Sequence, residues 1–259
     1  MLAIRIAGRE ILGHPRDLSQ AKGLYVRPGG MQGWEGISST RREALARAVE
    51  HGEHDTPVYL GSRVVTIDGQ VLAPTEDELV HFSDSVTGLF AAGRTRVSVQ
   101  NRGRTLYADG RVTLAECEDL GSSGRRLRAE FQVQVVFADP RRYGEVNTLP
   151  GDRLSPRDPA AVATSIPVAH FGNFPAYPVI EIPNAPAAYT VASPAGSYAI
   201  SGATAGGTHT VDLRRGRVFR NGVEMSGVGR GSLWTVPPGT AMAHTLSAPG
   251  RVRIPNTFV

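Results

Sequence analysis

The sequence predicts a mainly β protein of two domains, an α+β domain followed by an all-β one. Three observations carry that expectation. Glycine (30) and proline (18) punctuate the 259 residues at short intervals, the pattern of many short strands joined by turns. One stretch in the first half has a sustained helical period, and several strand-like runs follow it, an α+β order. Residues 146–165 are polar, carry Pro150, Pro156 and Pro159, and lack any apolar period, as a domain boundary does. The expected domains are therefore 1–145 and 166–259, with 146–165 as linker.

In the first domain, Leu2–Ile6 and Leu24–Val26 are short strand candidates. The Gly-rich run Gly29–Gly36 reads as a loop anchored by Trp34. A short helix is expected over 41–50. Thr40 and Glu43 have capping-box spacing, Gly52 would stop the helix, and Leu45 and Val49 share a face. Arg63–Ala73 reads as a strand that bends at Asp68-Gly69. The clearest helix follows, with Thr75 as N-cap, Glu78 three residues on, and Gly93 as the stop. Leu79, Phe82, Val86, Leu89 and Phe90 keep the spacing of one helical face. Strands are then expected at Arg96–Asn101, Thr105–Ala108, Arg111–Asp119 and Leu127–Ala138. Within the last, Arg128–Val135 alternates polar and apolar, giving one wet and one dry face.

In the second domain, strands are expected at Val179–Ile182, Tyr198–Ser201, Thr208–Asp212, Val218–Arg220, Leu233–Val236, Met242–Leu246 and Val252–Ile254. Asn221-Gly222 is a hairpin turn, since both residues tolerate the positive φ it needs. Strands at this spacing predict a β-sandwich.

Composition excludes several function classes. Hydrophobic residues make up 41%, enough for real cores. No run approaches the ~20 apolar residues of a membrane helix, and the alternating start Met1–Ile6 is not a signal peptide, so membrane insertion is not expected. The single cysteine, Cys117, excludes an internal disulfide and a cysteine zinc site, and reads as a small strand residue. The net charge is +4, but the basic residues are scattered and Lys22 is the only lysine. Nucleic acid is therefore not an expected partner.

His51-Gly52-Glu53-His54-Asp55 is the densest set of metal-ligand types, but it is Gly-containing, has no H-E-x-x-H pattern, and reads as a surface turn. A hydrolase reading would rest on His51, His54 and Asp55. Gly202–Gly207 lacks the lysine and helix of a phosphate loop and reads as a hairpin loop. Glu76, Asp77 and Glu78 meet the positive end of a helix dipole, and Glu116, Glu118 and Asp119 read as solvated acids at a strand end. Trp234 could stack on a sugar, yet its place on a strand favours the core. No catalytic residue, cofactor or metal is assigned, and the chain is not expected to be an enzyme.

Taken in order, several segments resemble the siphophage distal tail protein family, also known as phage tail family or minor tail proteins. In the first domain these are Gly33-Trp34, His51-Gly52, Arg63–Gly69, the helix start Ala73-Pro74-Thr75…Glu78-Leu79, Tyr107–Arg111, and the strand closing into Asp139-Pro140. In the second they are Asn173–Pro178, Asn221-Gly222, and Leu233-Trp234…Pro237-Pro238-Gly239. The resemblance implies an N-terminal β-sandwich-like ring domain and a galectin-like C-terminal β-sandwich. It further implies a homo-hexamer at the distal end of the virion tail, joining the tail tube protein to the hub and host-recognition proteins, with the tape-measure protein as a further neighbour. The alternative is a lectin-like adhesion protein gripping a host-surface glycan. No active site is carried over, because the family has no catalytic signature.

Overall fold

A computed structural model describes residues 2–15, 17–18, 21–123, 126–146 and 165–259. The chain divides into two compact units, Met1–Arg142 with Val259, and Tyr143–Phe258. Strands dominate both, as the sequence predicts. The expected linker falls almost wholly outside the described residues.

Unit 1 is a sheet closed on itself. Ala3–Ile6 (β1) and Arg9–Leu12 (β2) form a hairpin, and Gly23–Gln32 (β3) runs parallel to β2. Thr40–Arg41 (β4) and Tyr59–Leu60 (β5) pair only with each other. Arg63–Ala73 (β6) joins β3. The helix α1 (Glu76–Thr87) follows, and then the 3-10 turn Gly88–Ala92. Arg94–Asn101 (β7) pairs with β1. The 20-residue Arg104–Ser123 (β8) pairs with β7 through its first half and with Arg126–Phe137 (β9) through its second. Because β9 also pairs with β6, the strands meet in a ring, β8-β7-β1-β2-β3-β6-β9 and back to β8. The sandwich-like expectation for this half thus takes the form of a barrel.

Alternation decides the faces. Along β6, Val65, Ile67 and Val71 are fully buried, while Val64 is exposed. Along β9, Phe131, Val133, Val135 and Phe137 line the same interior. Helix α1 covers this buried face where β6, β8 and β9 meet, and it inserts Leu79 and Val86. Thr75 caps it, its hydroxyl accepting from the Glu78 N–H at 3.4 Å. The Glu78 carboxylate does not close the capping box; it takes Lys22 Nζ at 2.5 Å. The expected apolar face is kept by Leu79, Val86 and Leu89 and lost by Phe90, which is 62% exposed. The helix tightens to a 3-10 turn at Gly88, so the last positions rotate off the α-helical stripe.

Two Asp-Gly pairs correct the sequence reading. Asp68-Gly69 was expected to bend its strand and Asp109-Gly110 to end one, yet both lie inside continuous strands. Each glycine makes room for an aromatic ring. Gly69 stands directly opposite Phe131, whose ring occupies the space a Cβ would need. Gly110 is covered in the same way by the Phe137 ring and Val135. A Gly69→Val variant is expected to lose about 2–3 kcal/mol of unit 1 stability through overpacking. Urea denaturation checks this, and Gly69→Val with Phe131→Ala should recover part of the loss.

The helix expected over 41–50 is absent. Thr40 is already extended in β4, and the chain turns back so that Ala46 bridges Glu53. Leu45 and Val49, its would-be apolar face, are 66% and 94% exposed. A helix that short has no support unless it packs.

Unit 2 begins at Tyr143, inside the strand Arg142–Val146 (β10), and most of its other strands form a two-sheet sandwich. Its strands are Ser165–Val168 (β11), Val179–Ile182 (β12), Tyr189–Ser193 (β13), Gly196–Ile200 (β14), His209–Asp212 (β15), Arg217–Arg220 (β16) and Val223–Met225 (β17). Gly229–Gly231 (β18), Met242–Leu246 (β19), Arg251–Arg253 (β20) and Pro255–Phe258 (β21) complete it, with β21 beside β10. One sheet runs β11-β19-β13-β14-β18, the other β17-β16-β15-β12-β20. A single apolar cluster lies between them, including Ile180, Ile182, Val191, Val211 and Trp234. Asn221 and Gly222 make the expected β16–β17 hairpin at φ 48° and 84°. Leu233–Val236 is not a strand. It makes one bridge, Ala176 to Val236, while Trp234 drops into the core.

Candidate assembly surface

The segment between β3 and β6 is an arm. β4 and β5 form its stem, Ala46 and Glu53 close it further out, and the Arg47–Gly52 turn ends it. The His51–Asp55 cluster therefore sits at the arm's exposed tip, the surface turn that its composition suggests. Its acids face arginines: Arg42 pairs with Glu53 and with Asp55 at 3.6 Å, and Arg47 pairs with Glu50 at 3.0 Å. Among the described residues, no group of three or more His, Cys, Asp or Glu side chains is placed to hold a metal ion.

The arm's root is fixed by a residue the sequence reading treated as an ordinary strand start. Arg63 is 2% exposed. Its Nε donates to Pro140 O at 2.8 Å, and Nη1 donates to Gly33 O at 2.7 Å and Trp34 O at 3.0 Å. Nη2 donates to Gly36 O at 2.9 Å. One guanidinium thus ties the entry of the arm to the end of β9. Burial, helped by the nearby Arg142 charge and opposed by Glu35, lowers its pKa to about 10, so it stays charged at neutral pH. Trp34 is buried against this node, its ring edge-on to Phe137 at 6.0 Å, with the Arg142 guanidinium 5.9 Å from its centroid. Arg142 in turn donates to Glu35 at 2.8 Å. Gly33, at φ 77°, has the Val64 carbonyl where a Cβ would stand, which explains glycine before Trp34.

The other singled-out residues serve the fold. Glu116, Glu118 and Asp119 lie within β8 rather than at a strand end. Glu118 faces Glu130, which pairs with Arg27. Tyr107 and Asp109 are both engaged by Arg96, whose Nε donates to Asp109 at 2.8 Å and whose guanidinium lies 4.2 Å over the Tyr107 ring. Cys117 is half-buried on β8. The Gly202–Gly207 loop spends its polar groups internally. Gly206 N donates to Ala185 O, and the carbonyls of Gly206 and Gly207 take Arg220 Nε and Ala185 N. Trp234, the candidate sugar platform, is 4% exposed and donates to His244 Nε2 at 3.1 Å.

A closed barrel with one capping helix and a stapled arm, followed by a two-sheet sandwich, is a fold shared with solved phage proteins. The SPP1 Dit (gp 19.1) protein, a hub adsorption apparatus protein of phages infecting Gram-positive bacteria, matches over 100% of both chains with a TM-score of 0.68 at 14% identity. A chain of the phage P2 baseplate in its activated conformation with Ca matches over 100% of this chain and 97% of its own, with a TM-score of 0.52 at 6% identity. The same baseplate with Sr gives 0.50 at 7%, over 98% and 97%. At these identities the likeness is one of fold. No protein-family model and no curated protein sequence matches the chain.

Proposed function

We propose that this chain is a structural component of a phage tail tip, located at the distal end of the virion tail. In this reading unit 1 forms a hexameric ring joining the tail tube to the hub and host-recognition proteins, and the galectin-like unit 2 stands at its periphery. The observation that carries it is the end-to-end fold match with the Dit protein of SPP1. Physical support comes from unit 1 itself. A head-to-tail contact closes into a ring only if one subunit offers two different surfaces, and unit 1 exposes apolar side chains both on the arm and on the helical segment. The role is one of assembly, with no chemical step.

The test is the mass of the purified full chain in solution together with negative-stain images, alone and with its tail-tube and hub partners. Six-fold rings are expected. A chain that stays monomeric under all these conditions overturns the reading. The lectin alternative loses its leading residue, since Trp234 is committed to the core.

A further inference from the structure

The arm exposes more apolar surface than a free loop needs. Ile37, Leu45, Val49, Val58 and Tyr59 are 57–94% exposed. Exposed apolar side chains gathered on one projecting segment mark an interaction surface. The face formed by Leu45, Pro57 and Tyr59 is concave, with a cavity of about 370 Å³ rimmed by Arg41 and Glu43. Arg42 and Arg47 are paired within the arm. Arg41 instead lies over the Tyr59 ring at 5.9 Å and makes no ion pair among the described residues.

The complementary surface lies elsewhere in the same unit. Helix α1 carries Glu76, Asp77, Glu78 and Asp84, with His81 and no Lys or Arg. Only Glu78 has an ion-pair partner among the described residues. On the same helical segment Val80 and Phe90 are 59% and 62% exposed. An apolar hollow rimmed by one cation, Arg41, and one anion, Glu43, thus has its counterpart in a helical segment with two exposed apolar side chains, where Asp84 can meet Arg41. β4 and β5 pair with no other strand, so the arm is not spent on its own barrel.

We infer that the arm docks on a second copy of this chain, seating its Leu45–Tyr59 hollow on that copy's α1 and 3-10 turn, with Phe90 entering the hollow and Arg41 facing Asp84. The inference rests on the ring reading and names the contact that closes the ring.

Disulfide trapping tests it. In a Cys117→Ser background, Leu45→Cys and Phe90→Cys in the same chain should give an oxidation-dependent ladder of covalent oligomers ending at the ring size. Either cysteine alone should give at most a trace of dimer. Leu45→Asp, which removes nothing from the core, should dissociate rings at least tenfold more readily on dilution. Rings that form normally with Leu45→Asp and yield no ladder overturn the docking and leave the ring reading intact. An arm needed only for binding the tail-tube protein overturns it equally. A wild-type chain that forms no ring overturns both.

Discussion

Arg63→Met is expected to lower the stability of unit 1 by about 3–5 kcal/mol, because a guanidinium that satisfies four carbonyls leaves them without donors when it is removed. The carbonyls belong to Gly33, Trp34, Gly36 and Pro140. Methionine fills much of the volume, so the loss isolates the hydrogen bonds rather than a cavity. For a unit of this size the shift in Tm is about 10 °C or more. Calorimetry checks the magnitude, and hydrogen exchange checks the cause: amides of the arm should lose protection before those of β6 and β9. Arg63→Lys should recover only part of the stability, since an ammonium has three donors and no planar fork. A Met variant within 0.5 kcal/mol of wild type would show that water replaces the guanidinium at no cost, and the arm would then have no rigid root.

Arg63 also marks where sequence reading runs out. Local, repeated signals were legible: the Thr75 cap, the alternation of β9 and the Asn221-Gly222 turn each follow from a few neighbouring residues. The partners of Arg63 lie 27 to 77 residues away and are backbone carbonyls, which have no sequence signature. The two Asp-Gly pairs failed for a related reason. Turn chemistry is a local preference, and here it is overridden by cross-strand rings 62 residues beyond Gly69 and 27 beyond Gly110. The missing helix at 41–50 had its cap residues and its period but nothing to pack against, and only the fold decides that. The candidate surface was legible in part. The tip cluster His51–Asp55 read correctly as a turn, whereas exposed Ile37, Val58 and Tyr59 became meaningful only once the arm was seen to leave the barrel.

The second large effect concerns acid. Three histidines are fully buried in unit 2: His170, His209 and His244. His170 accepts the Gly172 N–H on Nδ1 at 3.1 Å, which leaves Nε2 to donate to Val236 O at 3.1 Å. His244 accepts the Trp234 indole N–H on Nε2 at 3.1 Å and donates from Nδ1 to Met242 O at 3.0 Å. In both rings the accepting nitrogen faces a group that can only donate, so a second proton sets two N–H groups against each other. Burial lowers both pKa values from the ordinary 6.5, outweighing the carbonyl that pulls each upward, and no charged group acts on either ring. The sign follows from the depressed folded values. Above pH 6.5 both states are neutral at these positions and the stability is complete. As pH falls below 6.5 the unfolded chain takes up protons that the folded unit refuses, and stability drops. Each proton contributes a slope of up to about 1.4 kcal/mol per pH unit, and two contribute about 2.7. Calorimetry of the full chain between pH 7 and 5 should show the unit 2 transition falling, with a slope no steeper than that of two protons. Because His170 bonds Val236 and His244 bonds Trp234, the segment between β18 and β19 should loosen first, reported by red-shifted emission in a Trp34→Phe background. Gln at either position keeps an acceptor but cannot titrate, so His170→Gln or His244→Gln should halve the slope and the double variant should flatten it. An unchanged slope in the double variant would assign the acid response to groups other than these two rings.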